Sequence, residues 1–258
     1  MKFSANLSLL FTEHPMEDRF AASRSCGFEA VEIQFPYALE PRQIADQLQQ
    51  FNQQLILINV PAGDLMSGGA GLASHPKRRD EFKRAVELCA HYAEQLQVPQ
   101  VNVLAGRETD DYPPEAHYDQ LLHNLDYCAG QLGSLGITTL FEGINTFDMP
   151  GFLIHNAEQM QQVIHDLNHP RVAMQFDLYH MARMQQPMES LIPELCRHFG
   201  HVQFADTPDR HQPGSGELPW QRLFALLEEC GYEGWLGAEY TPSGHTEDSL
   251  GWLAEFRQ

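Results

Sequence analysis

Four apolar runs in the second half of the chain each carry one strongly polar residue near their C-terminal end. They are Glu142 in TTLFEGIN, Asp177 in VAMQFDLYH, Gln203 in HVQFAD and Glu239 in WLGAEY. An ionised carboxylate buried without partners is heavily penalised by desolvation, so three carboxylates and an amide in equivalent places need a shared explanation. If the four runs are neighbouring strands, roughly 4.8 Å apart and tilted around one axis, their ends converge. Oxygen donors gathered there make a cage for a hard divalent cation, which neutralises groups that otherwise repel. Mg²⁺ or Mn²⁺ suits this oxygen set better than Zn²⁺, which favours His and Cys. The competing reading is four separate hydrogen-bond networks at four strand ends.

Two further residues belong to the same neighbourhood. His180, just beyond Asp177 in DLYH, would stand at the mouth of such a site and could hydrogen-bond a substrate oxygen; a plain surface His is the alternative. Arg210 in TPDRHQPGSGE follows the Gln203 run, and its guanidinium would grip an anionic substrate bidentately. A loop salt bridge is its blander use. Asn6, Asn59 and Asn102 recur on earlier runs; one could touch substrate, although internal strand-end bonds account for them adequately.

The elements that must position these groups alternate regularly. Strands are expected at Phe3–Leu10, Ala30–Phe35, Leu55–Pro61, Val101–Ala105, Thr138–Asn145, Val172–Tyr179, His201–Ala205 and Trp235–Tyr240. Helical periodicity fills Met16–Ser25, Pro41–Phe51, Pro76–Leu96, Pro114–Leu135, Ala157–Leu167, Met188–Phe199, Pro219–Cys230 and Thr246–Phe256. Runs such as LILINV and VNVLA are too apolar to be half exposed, as parallel strands covered by helices are. Asn156 is placed to cap the fifth helix, while Gly27, Gly136, Gly200 and Gly231 follow helical stretches. Eight strand–helix units in about 250 residues is the arithmetic of a (β/α)₈ TIM barrel, read as one domain over 1–258. Neither GxGxxG after the first strand nor GxxxxGK[ST] occurs. The Gly-rich stretch Pro61–Ser74 is longer than an ordinary βα connection, and reads either as a mobile lid or as an ordered surface loop.

Acidic residues number 35 against 16 basic ones among 258, a formal charge of −19. That surface repels nucleic-acid backbones and anionic lipid, so neither nucleic acid nor membrane is an expected partner. The N-terminal segment reads poorly as a signal peptide. Five cysteines without a CxxC pair point to reduced thiols and a cytoplasmic protein. Oligomeric state, including a homo-oligomer, stays open.

The sequence resembles the hydroxypyruvate isomerase family of xylose isomerase-like barrels, nearest to the branch that includes 2-oxo-tetronate isomerase. The resemblance runs over nearly the whole chain, through FSANLSLLFTE, FPY, NVPAGDLMSGGAGLASHPKRRDEF, FEGIN, DLYH, HVQFADTPDRHQPGSGE and GWLGAEYTP. It implies that Glu142, Asp177, Gln203 and Glu239 bind one divalent metal and that Glu142 and Glu239 transfer protons. It also implies substrate contacts for His180 and Arg210. The expected activity is then an intramolecular oxidoreductase, an aldose–ketose type isomerase that shifts a carbonyl in a small anionic oxo-acid through a cis-enediolate. Related ketose 3-epimerases usually carry His where this chain has Gln203. An epimerase is the nearest rival; a polyol dehydratase shares the scaffold, and a repair endonuclease would need more His and a basic face. A non-enzymatic sugar-acid sensor would have no use for two proton-transfer carboxylates.

Overall fold

The computed structural model describes residues 1–256 of the chain. Eight parallel strands close on themselves in sequence order. They are β1 (Lys2–Asn6), β2 (Ala30–Ile33), β3 (Gln54–Asn59), β4 (Gln100–Val103), β5 (Thr138–Glu142), β6 (Val172–Asp177), β7 (Phe199–Phe204) and β8 (Trp235–Ala238). The surrounding helices are α1 (Met16–Ser25), α2 (Pro41–Phe51), α3 (Arg79–Gln95), α4 (Pro114–Gly133), α5 (Ala157–Leu167), α6 (Leu178–Arg183), α7 (Met188–Leu195), α8 (Trp220–Glu229) and α9 (Gly251–Phe256). This is the eight-stranded barrel the strand–helix alternation predicts. No described helix is long and apolar enough to cross a membrane.

Side chains two positions apart on a strand share a face. Outward residues such as Phe3, Val31, Phe141, Phe176 and Phe204 are buried in the main apolar core. Inside the barrel, Ala30, Ile56, Leu57 and Leu140 form a separate apolar plug. Nearer the C-terminal ends the interior turns polar, with Ser4, Glu32, Asn102, Gln175 and His201 all buried. Closure between β8 and β1 is braced from outside: Phe3, Phe204 and Trp252 meet edge-on at 5.1–6.0 Å. Such pairs add about 0.5–1.5 kcal/mol each beyond area burial.

Several boundaries differ from expectation for local reasons. β1 stops at Asn6, whose carbonyl accepts from the N–H groups of Leu9 and Leu10 and turns the chain. β6 stops at Asp177 because its carboxylate accepts from the Tyr179 N–H at 2.8 Å and caps α6. The helix expected to reach Phe199 ends at Leu195, a 3₁₀ turn follows, and β7 already begins at Phe199. Gly200 therefore ends no helix; it lies in β7, where a side chain would strike Leu140. Asn156 caps α5 as expected, accepting from the Gln159 N–H.

Two further expectations meet different outcomes. Cys196 and Cys230 form a disulfide, against the reading of all five cysteines as reduced. They lie 34 positions apart in sequence, but they cap the C-terminal ends of α7 and α8, which pack against each other, and spacing alone does not show this. The Pro61–Ser74 stretch is bonded within itself and to residues that follow it. Asp64 accepts from the Gly71 N–H and pairs with Arg78 at 2.6 Å, and Arg107 donates to the Gly69 carbonyl.

Candidate active site

Glu142 and Asp177 end their strands, Gln203 is the penultimate residue of β7, and Glu239 directly follows β8. Asp177 and Gln203 are register partners, and the Glu239 N–H donates to the Phe204 carbonyl, which holds the β7 and β8 ends level. All four are 5% exposed or less. One bonded chain links the outer pair. The Gln175 amide donates to Glu142 at 2.5 Å and to the Gln203 Oε1 at 2.6 Å; the Gln203 amide in turn donates to Glu239 at 3.2 Å. Glu239 also accepts from Asn6 and Gln34, each at 2.9 Å.

Arg210 lies across the top of this cluster. Its Nη2 is 2.5 Å from Glu239 and 3.8 Å from the Asp177 Oδ2, and its guanidinium stacks 5.1 Å from the Tyr179 ring centre. The loop after β7 that delivers it is tied down by Asp206. That buried carboxylate accepts from the N–H groups of Thr207, Gly214, Gly216 and Leu218 and from the Trp220 indole. His180 lies deeper than a mouth residue would, at 3% exposure. The Asn145 amide meets its Nδ1 at 2.7 Å. Asn145 Oδ1 is already taken by the Phe147 and Asp148 N–H groups, so Nδ1 is the acceptor. The ring proton then sits on Nε2, 3.5 Å from the Asp177 Oδ2.

Burial raises the Glu142 carboxyl to about 8, with Glu239 and Asp177 adding repulsion. Asp177 and Glu239 are raised as well, mainly by burial, with the Arg210 charge working against the rise in both. His180 is held well below the usual imidazole range by burial and then by Arg210, which keeps it neutral. Burial is the largest cause in all four groups.

The donor set is the oxygen type that hard divalent cations take. Asp177 Oδ1 is occupied in capping α6, whereas its buried Oδ2 has no hydrogen-bond donor among the described residues. Among the described residues, no three His, Cys, Asp or Glu side chains stand ready-made around one ion position. Instead, the Gln175 amide lies between Glu142 and Gln203, and Arg210 contacts Glu239 and Asp177. A cation would replace these donors at the carboxylates it binds.

Sequence reading overlooks one layer of this site. Glu32, Gln175 and His201 lie inside the barrel beneath the mouth residues, and Glu32 accepts from His201, Ser4 and Gln203. Burial pushes the Glu32 carboxyl up, but His201, Ser4 and Gln203 together bring it below the ordinary range. The missed signal is the two-residue period. Gln175 precedes Asp177 by two, His201 precedes Gln203 by two, and Glu32 sits between Val31 and Ile33. Asn102 also departs from expectation: both polar atoms of its buried amide lack partners among the described residues.

Residues 20–256 match the family described as xylose isomerase-like TIM barrel, and the chain belongs to that family. It is 36% identical to hydroxypyruvate isomerase of Escherichia coli K12 over 257 residues, covering all of both chains. It is 33% identical to 2-oxo-tetronate isomerase of Pectobacterium atrosepticum over 97% of this chain and 96% of that one. A crystal structure of a protein named AP endonuclease, family 2, from Brucella melitensis superposes with a TM-score of 0.95. That likeness carries 39% identity and covers 100% of this chain and 99% of that one. With full-length relatives named isomerases, the chain is an enzyme of the isomerase class.

Proposed function

We propose that this isomerase moves a carbonyl between adjacent carbons of a short hydroxy-oxo acid through a cis-enediolate. The reaction is hydroxypyruvate to tartronate semialdehyde, or 2-oxo-tetronate to 3-oxo-tetronate. The observation that carries the reading is a pair of buried glutamates, Glu142 and Glu239, joined through Gln175 and Gln203 beneath the Arg210 guanidinium. Two carboxylates supply the proton exchange, and the cation at the mouth supplies recognition of an acid.

Glu142, Asp177, Gln203 and Glu239 would hold one divalent ion, Mg²⁺ or Mn²⁺. Bound there, the ion would polarise the carbonyl and stabilise charge developing on oxygen. The protein's own groups divide the remaining work. Glu239, which accepts from Asn6, Gln34, Gln203 and Arg210, is best supported as the carboxylate that takes the carbon-bound proton. Glu142, the other carboxylate of the pair, then returns a proton to the neighbouring carbon. The substrate hydroxyl proton passes to the former carbonyl oxygen, and the reverse reaction exchanges the two roles. Arg210 pairs with the substrate carboxylate, and His180 offers its Nε2–H to a substrate oxygen.

The test is an NMR assay in D₂O with hydroxypyruvate, 2-oxo-tetronate and a neutral ketohexose. One acid should turn over with deuterium entering at the carbon that gains hydrogen, at least about 100-fold more efficiently than the hexose, in line with loss of a charged contact. Chelation should abolish turnover, and Mg²⁺ or Mn²⁺ should restore it. Preferential epimerisation of the hexose, or acid binding without deuterium uptake, overturns the reading.

A further inference from the structure

Beneath the mouth residues, the barrel holds a further carboxylate, Glu32, at 1% exposure. Its oxygens accept from the Ser4 hydroxyl at 2.5 Å, the His201 Nε2 at 2.9 Å and the Gln203 Nε2 at 2.8 Å. An ionised carboxylate only accepts hydrogen bonds, and a primary amide has one donating and one accepting end. With its nitrogen committed to Glu32, Gln203 must turn Oε1 the other way, where it accepts from Gln175 at 2.6 Å. The same Gln175 nitrogen donates to Glu142. Reversing the Gln203 amide would set its oxygen against the Glu32 carboxylate and its nitrogen against that of Gln175.

We infer that Glu32 is a positioning residue: by accepting from Gln203 it fixes the direction of the amide chain Gln203–Gln175 that ends on Glu142. His201 serves it from behind, as the donor that keeps the buried carboxylate in place. Gly237 completes the arrangement. A Cβ at this β8 position would collide with the Glu32 carboxylate, so the absent side chain is the space in which Glu32 lies. In the cation site proposed above, this orientation leaves Oε1 as the one Gln203 atom able to act as a ligand.

Two variants test the inference separately from folding. Glu32→Gln keeps the shape but presents a mixed donor–acceptor group. Gly237→Ala leaves Glu32 chemically intact and pushes on the movable end of its side chain. In protein labelled with ¹⁵N-glutamine, the Gln203 side-chain signal, identified by its loss in Gln203→Met, should shift or double in both variants. Their circular dichroism should stay that of the wild type. On the isomerase reading, kcat should fall about 10–100-fold with KM within about twofold, the usual scale for losing a partner that orients a ligand. An unchanged Gln203 signal in either folded variant, or unaltered kcat, overturns the inference. If wild type converts no oxo-acid, the isomerase reading fails and the amide signal alone decides this inference.

Discussion

At the level of single residues, the site works by making carboxylates uncomfortable and then giving each a different remedy. Among the described residues, Asp177 spends one oxygen capping α6, Glu239 collects four side-chain donors, and Glu142 has only Gln175. Replacing Glu142 or Glu239 by Gln removes a group that must change protonation state. Each change should lower kcat by about 10²–10⁴-fold, the range for general acid–base groups. Rates of solvent-deuterium exchange at the substrate carbon should fall in parallel. Thermal melting of Glu142→Gln above about pH 8 should show no loss of stability, because there a buried, repelled carboxylate is replaced by a neutral amide. Near-normal turnover by either variant would remove the two-carboxylate scheme. The sequence made these two residues readable because a charged group in an apolar run is conspicuous. Glu32 in VEIQF has the same mark, but what gives it meaning is His201 and Gln203 across the barrel, some 170 positions away.

Elements decide where those residues end up, and loops decide what covers them. All eight strands were legible from apolar runs separated by helical periodicity, since parallel strands buried on both faces advertise themselves. The ends were less legible, because capping and turning bonds such as Asp177 to Tyr179 compete with strand continuation. Least visible was the loop from Thr207 to Leu218, which has no periodicity and is organised around Asp206. Its five donors converge on one buried carboxylate, so Asp206→Ala leaves several of them unsatisfied at once. The expected loss is about 3 kcal/mol, from penalties of about 1–3 kcal/mol per buried unsatisfied group, read from denaturant midpoints. The same variant should raise KM for the acid substrate, because Arg210 loses the frame that aims it. A stable Asp206→Ala protein with unchanged KM would show that Arg210 is positioned some other way.

For the molecule as a whole, the enclosed negative charge makes stability depend on pH and on cations in a defined direction. Glu142 titrates at about 8 in the folded protein, against about 4.3 in an unfolded chain. Between those values the folded state binds the extra proton, so its stability falls as pH rises and the contribution is gone above about 8. Asp177 and Glu239, raised by the same burial, act in the same sense. His75, His180 and His198 are lowered mainly by burial and act oppositely, but only below the unfolded imidazole value of about 6.5. From pH 7 to about 8.5 the carboxylates therefore govern. Chelator-treated protein should melt at progressively lower temperature across that window, and Glu142→Gln should flatten the slope by about half a proton near pH 8. A divalent ion that binds only the folded cluster should raise the midpoint, and more at pH 8 than at pH 6. Because the formal charge of −19 would also respond to general screening, NaCl at matched ionic strength is the control. A Mn²⁺ effect equalled by NaCl, or one that persists unchanged in Glu142→Gln, would mean that the ion acts on the surface rather than on the four strand ends.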